Sequence, residues 1–544
     1  MSERESRTVL LRGGSVYSPA DPFATAMVVQ DGQVAWIGSD AAAVSYLDAV
    51  DETVELRGAL VTPAFTDAHV HTTATGLALG GLDLTGSPSL ADALARLADH
   101  ARAHPGHRVV LGHGWDSARW PEHRAPTREE IDAAAPGRAV YLTRTDMHSA
   151  AVSGALLAEV PGIGGLPGNE ADGTLTRDAH HAARRAAHAA VTARQRLDAQ
   201  RTALRHAASL GIAAVHECAG PDISSEDDFT GLLGLASRTP GPQVHGYWAE
   251  ALVPGDAKAL ERLRDLGAAG AAGDLFADGS LGSRTACLHQ PYADTDGHTG
   301  TAYLDADAIA DHFTAGTEAG LQGGFHAIGD AALATVVEGA RRAAERLGLA
   351  RFRAARHRVE HAEMLTPETV ASFAELGLTA SVQPAFDAAW GGEDGMYAER
   401  LGVERARTLN PFAALLRAGV PVALGSDSPV TPLDPWGSVR AAAFHRTPEH
   451  RISVRAAFTA HTRGGWRAVG HDDTGTLVPG APAHYAVWET EDLVVQAPDT
   501  RVANWSTDPR SGTPGLPDLT PGRELPRLLC TVVAGVVVHT APNE

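Results

Sequence analysis

Thr62-Pro63-Ala64-Phe65-Thr66-Asp67-Ala68-His69-Val70-His71 is the stretch on which the reading of the fold turns. The apolar run over residues 60–65 has the texture of a buried strand, and a His-x-His pair follows it directly. In extended chain, residues two apart project to the same side, so both imidazoles suit one shared metal ion. The chain holds 26 histidines, however, and about one such pair is expected by chance, so the pair counts only in its structural context.

That context begins with what surrounds the stretch. Short β-like runs alternate with Ala-rich helical segments, which indicates an α/β fold with a parallel sheet and crossover helices. Eight runs are found, at residues 60–65, 213–216, 244–248, 274–277, 323–326, 356–360, 379–382 and 420–424. Helices with recognisable ends separate several of them: 254–266 closed by Gly267, 305–319 closed by Gly320, and 367–376 closed by Gly377. Eight such units predict a (β/α)8 TIM barrel.

Both ends of the chain have a different texture, with small apolar strands and tight turns. Neither end has enough strands for a core of its own, so they are expected to pair into one composite β-sandwich. The expected domains are therefore residues 1–60 and 471–544 for the sandwich and 61–470 for the barrel. Residues 72–208 form an abnormally long first connection, read as a large insertion with its own helix at 89–104 and strands at 109–112 and 139–143. Connections of this length are usually functional.

Three further strand ends carry metal-binding residue types. His326 closes the fifth run, His361 follows the sixth and Asp427 follows the eighth. In a TIM barrel these positions face one opening, where catalytic groups gather. Imidazoles with a carboxylate suit a first-row divalent ion, zinc foremost.

Composition narrows the partners. With 45 Lys and Arg against 66 Asp and Glu, the net charge is -21, and no basic run tracks a phosphate backbone. A nucleic-acid partner is not expected. Three widely spaced cysteines, Cys218, Cys287 and Cys530, form no disulfide framework and indicate a reducing compartment. With neither a signal region nor a membrane span evident, the reading is cytoplasmic, acting on a small molecule; a homodimer is left open.

The ordered motifs resemble amidohydrolase family 3, the group that includes N-substituted formamide deformylase and the YtcJ-like hydrolases. They are Asp-Ala-His-Val-His at 67–71, Gly-His-Gly-Trp-Asp at 112–116, Asp-Met-His-Ser-Ala at 146–150 and Asp-Gly-Ser-Leu-Gly-Ser-Arg-Thr-Ala at 278–286. His-Ala-Ile-Gly-Asp at 326–330, Glu-His-Ala at 360–362 and Gly-Ser-Asp-Ser-Pro at 425–429 complete the set. The resemblance implies the barrel, the composite sandwich and metal ligation by His69, His71, His326, His361 and Asp427. It also implies hydrolysis of a carbon-nitrogen bond such as an amide, N-formyl or N-acyl amine, with Asp427 taking a proton from the attacking water and passing it to the leaving nitrogen. A lactone, cyclic amidine or phosphoester substrate, or a silent barrel with a binding role, are the competing readings.

One departure from the family pattern concerns the fourth strand, where many members place a lysine that can be carboxylated to bridge two metals. Asp274 stands there, and the chain's single lysine, Lys258, lies on an expected helix. Asp274 is read as a bridging carboxylate, as a partner of a ligand histidine, or as a barrel carboxylate away from the metal. An aspartate is much shorter than a carboxylated lysine, so one tightly held ion is favoured over two. Trp115, His148 and Arg284, all in family-like motifs, are read either as substrate-binding residues or as a core aromatic, a surface histidine and a loop arginine in a structural salt bridge. Glu217 and Cys218 are read as packing near the metal, and His180, His181 and His188 as solvated.

Overall fold

Eight parallel strands make the central sheet, in the order in which they occur along the chain: Phe65–Val70, Ile212–Ala219, Gln243–Trp248, Gly270–Ala271, Gln322–Ala327, Arg358–His361, Thr379–Val382 and Val422–Leu424. A parallel bridge between Val70 and Ser428 brings the last strand back to the first, so the sheet is a nearly closed barrel. This computed structural model describes residues 7–117, 120–144, 149–169, 174–221, 223–496, 505–506 and 513–542. Two compact units divide the chain, Met1–His71 with Leu204–Glu544, and Thr72–Ala203.

Two of the expected strands sit elsewhere. The run at 60–65 is not the first barrel strand: Leu60–Pro63 pairs antiparallel with Tyr485–Glu489 in another sheet, and the barrel strand is Phe65–Val70. The chain changes sheet between two successive amides, Ala64 N–H donating to the His484 carbonyl and Phe65 N–H to that of Gly211. Continuous burial from residue 60 to 70 hides this switch, because no polar residue marks it. His69 therefore lies on the strand and His71 just past its end. The fourth strand is Gly270–Ala271, and 274–277 is loop, held to the fifth strand by a bridge from Phe276 to His326. Gly273, at φ 83°, turns the chain between them, and its backbone passes so close to Cys218 that a Cβ would meet Cys218 Cβ at 3.1 Å.

The crossover helices obey their end signals. Thr366 caps Pro367–Leu376 in a reciprocal capping box, and Asp305 and Asp256 cap Ala306–Ala319 and Ala257–Leu266 through their carboxylates.

Strands from the two chain ends share one sheet. A five-stranded sheet orders Ser15–Val16, Leu60–Pro63, Tyr485–Glu489, Arg527–Val533 and Val536–Thr540. A four-stranded sheet holds Gln33–Gly38, Ala26–Gln30, Thr8–Arg12 and Glu52–Glu55. Leu11, Met27 and Val34 of the second sheet pack in one buried cluster with Val61, Val487 and Val532 of the first.

The Thr72–Ala203 unit has its own four-stranded sheet, in the order Ala150–Val152, Ala139–Arg144, Val109–Trp115, Leu82–Asp83, and its own cores. His180 belongs to its interior rather than to solvent, a correction to the sequence reading. Its Nε2 lies 2.7 Å from the Tyr141 hydroxyl and the two rings stack. The Ala-rich helix gave no sign that this face was covered. His188 is exposed, and the side chain of His181 lies outside the described residues.

Candidate metal centre

Four histidines meet at the C-terminal end of the barrel strands, each with one ring nitrogen already committed. His69 Nδ1 donates to Glu360 Oε2 at 2.9 Å and His71 Nδ1 to the Cys218 carbonyl at 2.9 Å. His361 Nδ1 donates to Gln383 Oε1 at 2.8 Å, and His326 Nε2 to the Gly279 carbonyl at 3.2 Å. An imidazole that donates from one nitrogen presents a lone pair on the other, which is the form that ligates a metal.

The remaining nitrogens converge on two carboxylates. Asp274 Oδ1 lies 3.4 Å from His69 Nε2, 3.5 Å from His326 Nδ1 and 3.8 Å from His361 Nε2, while Asp274 Oδ2 lies 3.2 Å from His71 Nε2. Asp427 Oδ1 is 3.1 Å from His71 Nε2 and 3.5 Å from His69 Nε2. His69 Nε2, His326 Nδ1, Asp274 Oδ1 and Asp427 Oδ1 are all buried without a hydrogen-bond partner. Several such atoms facing one another call for an occupant. His69, His71 and Asp274 form one group of metal-ligating geometry, Asp274, His326 and His361 a second, and His69, His361 and Asp427 a third. An N and O donor set of this size fits a first-row divalent ion.

The sequence reading set Asp274 on the fourth strand, whereas it lies in the loop that follows that strand. Asp274 lies past the Gly273 turn, which carries it inward until its carboxylate touches all four histidines.

Charge preference follows from the same geometry. Burial opposes a charge on His69 and His71, yet Asp274 and Asp427 beside them outweigh it and hold both well above the usual histidine range. Burial likewise opposes ionisation of the two carboxylates, and the surrounding histidines, His69 foremost, hold Asp274 well below and Asp427 below the usual carboxylate range. His361 is pushed down by burial and by His326. The two carboxylates thus favour positive charge beside them, which His69 and His71 carry as protons here and which a divalent ion would supply in their place.

Backbone stitching sets these positions. Asp427 N–H donates to the His69 carbonyl at 2.8 Å and His71 N–H to that of Ser428 at 2.9 Å, locking the loop after the eighth strand onto the first. Gly425 permits the approach, since a Cβ there would meet His69 N at 2.6 Å. His361 and Asp427 both hold positive φ, 69° and 56°, a costly backbone for such residues that recurs at functional sites.

Several contributors were not singled out from sequence. Glu360 orients His69 and Gln383 orients His361 from the barrel wall, and Arg358 backs Glu360. Their signal was present in Arg358-Val359-Glu360, a charged pair two apart on an otherwise apolar strand and so pointing to one face. Asp67, buried and pushed up to about 6 by that burial, accepts N–H bonds from His69 and Ser426 at 3.2 and 2.9 Å. Glu363, buried and pushed up to about 7, accepts from the Tyr397 hydroxyl.

The other residues singled out from sequence make contacts of their own. Arg284 spends its guanidinium on Asp294, which Arg400 also engages. Trp115 is buried in the Thr72–Ala203 unit, where its indole N–H donates to the Leu142 carbonyl at 2.9 Å and its ring lies near Trp120. His148 lies outside the described residues. Glu217 and Cys218 are buried in the second strand, and it is the Cys218 carbonyl, not the thiol, that holds a ligand histidine.

The chain is similar in sequence and fold to known proteins. Protein LONG AFTER FAR-RED 3 of Arabidopsis thaliana is 28% identical, covering 89% of this chain and 87% of its own length. N-substituted formamide deformylase of Arthrobacter pascens is 22% identical over 86% of this chain and 91% of its own. A solved structure, an uncharacterized metal-dependent hydrolase from Pyrococcus furiosus, is 26% identical with a TM-score of 0.73, covering 88% of this chain and 98% of that one. The model of the amidohydrolase family matches residues 52–539, nearly the whole of this sequence, and the chain belongs to that family of metal-dependent hydrolases.

Proposed function

We propose that the chain hydrolyses a carbon-nitrogen bond in a small amide, N-formyl or N-acyl amine, using two divalent ions, zinc foremost, that share Asp274. The observation that carries the reading is the convergence of four histidine nitrogens on one buried carboxylate. His69 and His71 would serve one ion and His326 and His361 the other, with Asp427 beside the first pair. A divalent ion there lowers the pKa of a water toward neutrality and polarises a carbonyl oxygen. Asp427, within 3.1 Å of His71 Nε2, is the carboxylate placed to accept a proton from the attacking water and return it to the departing nitrogen. Glu360, Gln383 and the carbonyls of Cys218 and Gly279 hold the imidazoles in the ligating form throughout. The deformylase relative supports the choice of bond, and the N-terminal four-stranded sheet and the five-stranded sheet that both chain ends form are read as halves of one β-sandwich because they share a core.

Turnover of N-formyl and N-acyl amines by the metal-loaded protein, against lactones, cyclic amidines and phosphoesters, tests the reading. Amine release from an N-acyl substrate is the expected outcome. Turnover confined to an ester or phosphoester would overturn it.

A further inference from the structure

Interiors of barrels of this kind are ordinarily filled by layers of branched apolar side chains. Beneath this metal centre the layer is ionic. Arg358 of the sixth strand is fully buried, and its guanidinium forks onto Glu360. It also donates to the Ala68 carbonyl at 2.7 Å and Ser381 Oγ at 3.0 Å, reaches His216 Nδ1 at 3.1 Å, and lies 4.5 Å above the Tyr247 ring. Residues of the first, second, third, sixth and seventh strands thus meet on one cation. Glu360 Oε1 takes Arg358 Nε, while Oε2 accepts the His69 Nδ1–H at 2.9 Å and, at the longer 3.2 Å, Arg358 Nη2. A buried ion pair of this kind is a poor device for stability and a good one for fixing geometry.

We propose that Arg358 is a positioning residue for the metal centre: by orienting the Glu360 carboxylate it keeps the His69 proton on Nδ1 and leaves Nε2 free to ligate. This inference rests on the metal-centre reading above. Guanidinium has donors only, so an amide at Glu360 is favoured with its oxygen at the Oε1 position, against Arg358 Nε in the shorter of the two contacts, and its NH2 at the Oε2 position toward His69. In Glu360→Gln, therefore, Arg358 favours a donor against His69 Nδ1, and the imidazole proton moves to Nε2, the nitrogen that faces Asp274 and Asp427. Removing Arg358 as well frees the amide to turn over and present its oxygen to His69. A role in packing alone predicts the opposite, that the two losses add.

The test is titration of the metal-free proteins with Co2+ or Zn2+ against a competing chelator, with circular dichroism to verify the fold. Glu360→Gln is expected to bind about 10- to 100-fold more weakly than wild type, the usual cost of losing the partner of a ligand histidine. The Arg358→Met, Glu360→Gln double variant is expected to bind about tenfold more tightly than Glu360→Gln alone, a coupling of the size seen between residues in contact. Wild-type affinity in Glu360→Gln, or a double variant no tighter than the single one, overturns the inference. Should the double variant not fold, Arg358→Gln replaces Arg358→Met in it. The absorption spectrum of Glu360→Gln saturated with cobalt then decides independently: a ligand field changed from wild type supports the inference, and an identical spectrum overturns it. Wild-type protein that takes up no divalent ion overturns the metal-centre reading itself, so the two failures are distinguishable.

Discussion

Asp427 and Asp274 are two buried carboxylates that both face His69 and His71, and the proposed function gives them different tasks. Asp427→Asn fills the same space but cannot accept a proton, so turnover should fall by about 100- to 10,000-fold with metal content retained. Steady-state rates together with metal analysis measure both at once, and unchanged turnover at full metal occupancy would remove Asp427 from proton transfer. Asp274→Ala should instead lower the bound metal from about two ions per chain to one or none, because the carboxylate contacts both histidine pairs. A stoichiometry unaffected by the substitution would contradict the sharing. Most of this site could be read at the level of residues. His69, His71, His326, His361 and Asp427 were all nominated from strand-end position, because ligand chemistry needs particular residue types and those types are rare on apolar strands. What Asp274 contacts was not legible, since its reach depends on a glycine turn two residues after a strand that was itself misplaced.

Elements set how closely these side chains approach. The loop after the eighth strand is seated on the first strand by two backbone hydrogen bonds, and Gly425 lets it come that close. Gly425→Ala would drive a methyl group against His69 N and Asp67 Oδ1, so the loop must lift and take Asp427 with it. A destabilisation of about 1–3 kcal/mol is expected from overpacking, along with weaker metal binding. Urea unfolding and chelator competition on the same preparation check both parts, and retention of wild-type affinity would show that the loop position is not decisive. Helix ends were legible where capping is local chemistry: Gly267, Gly320 and Gly377 close their helices where the sequence places them. The sheet change between Ala64 and Phe65 was not, because strands of two different sheets are equally apolar and lie end to end.

The whole molecule carries buried histidines far from the metal centre, and these govern its response to acid. His312 Nδ1 accepts the Leu252 N–H at 3.0 Å and its Nε2–H is given to the Ala271 carbonyl; His357 Nδ1 accepts the Gly323 N–H at 2.8 Å. Each ring must therefore be neutral, and burial first, reinforced at His357 by His312, pushes them down to about 4 and about 3. Their folded values lie below that of the unfolded chain. The stability they contribute is thus complete above about pH 6.5 and is lost as pH falls toward those folded values, at about 1.4 kcal/mol per pH unit for each histidine. The urea midpoint should decline steadily from pH 6.5 to 4, and His357→Gln, which can still accept the Gly323 N–H, should show a shallower decline. A flat midpoint across that range would refute the assignment.

Sequence by itself determined the barrel, the residue types of the metal centre and the ends of the helices, because periodicity, ligand chemistry and capping are properties of short stretches of chain. Only the tertiary structure decided that Asp274 touches all four histidines, that Arg358 and Glu360 form an ionic layer beneath them, and that His180 is interior. Those outcomes depend on which backbone turns inward at Gly273 and which faces become covered, and burial of that kind is settled by contacts between residues remote in sequence.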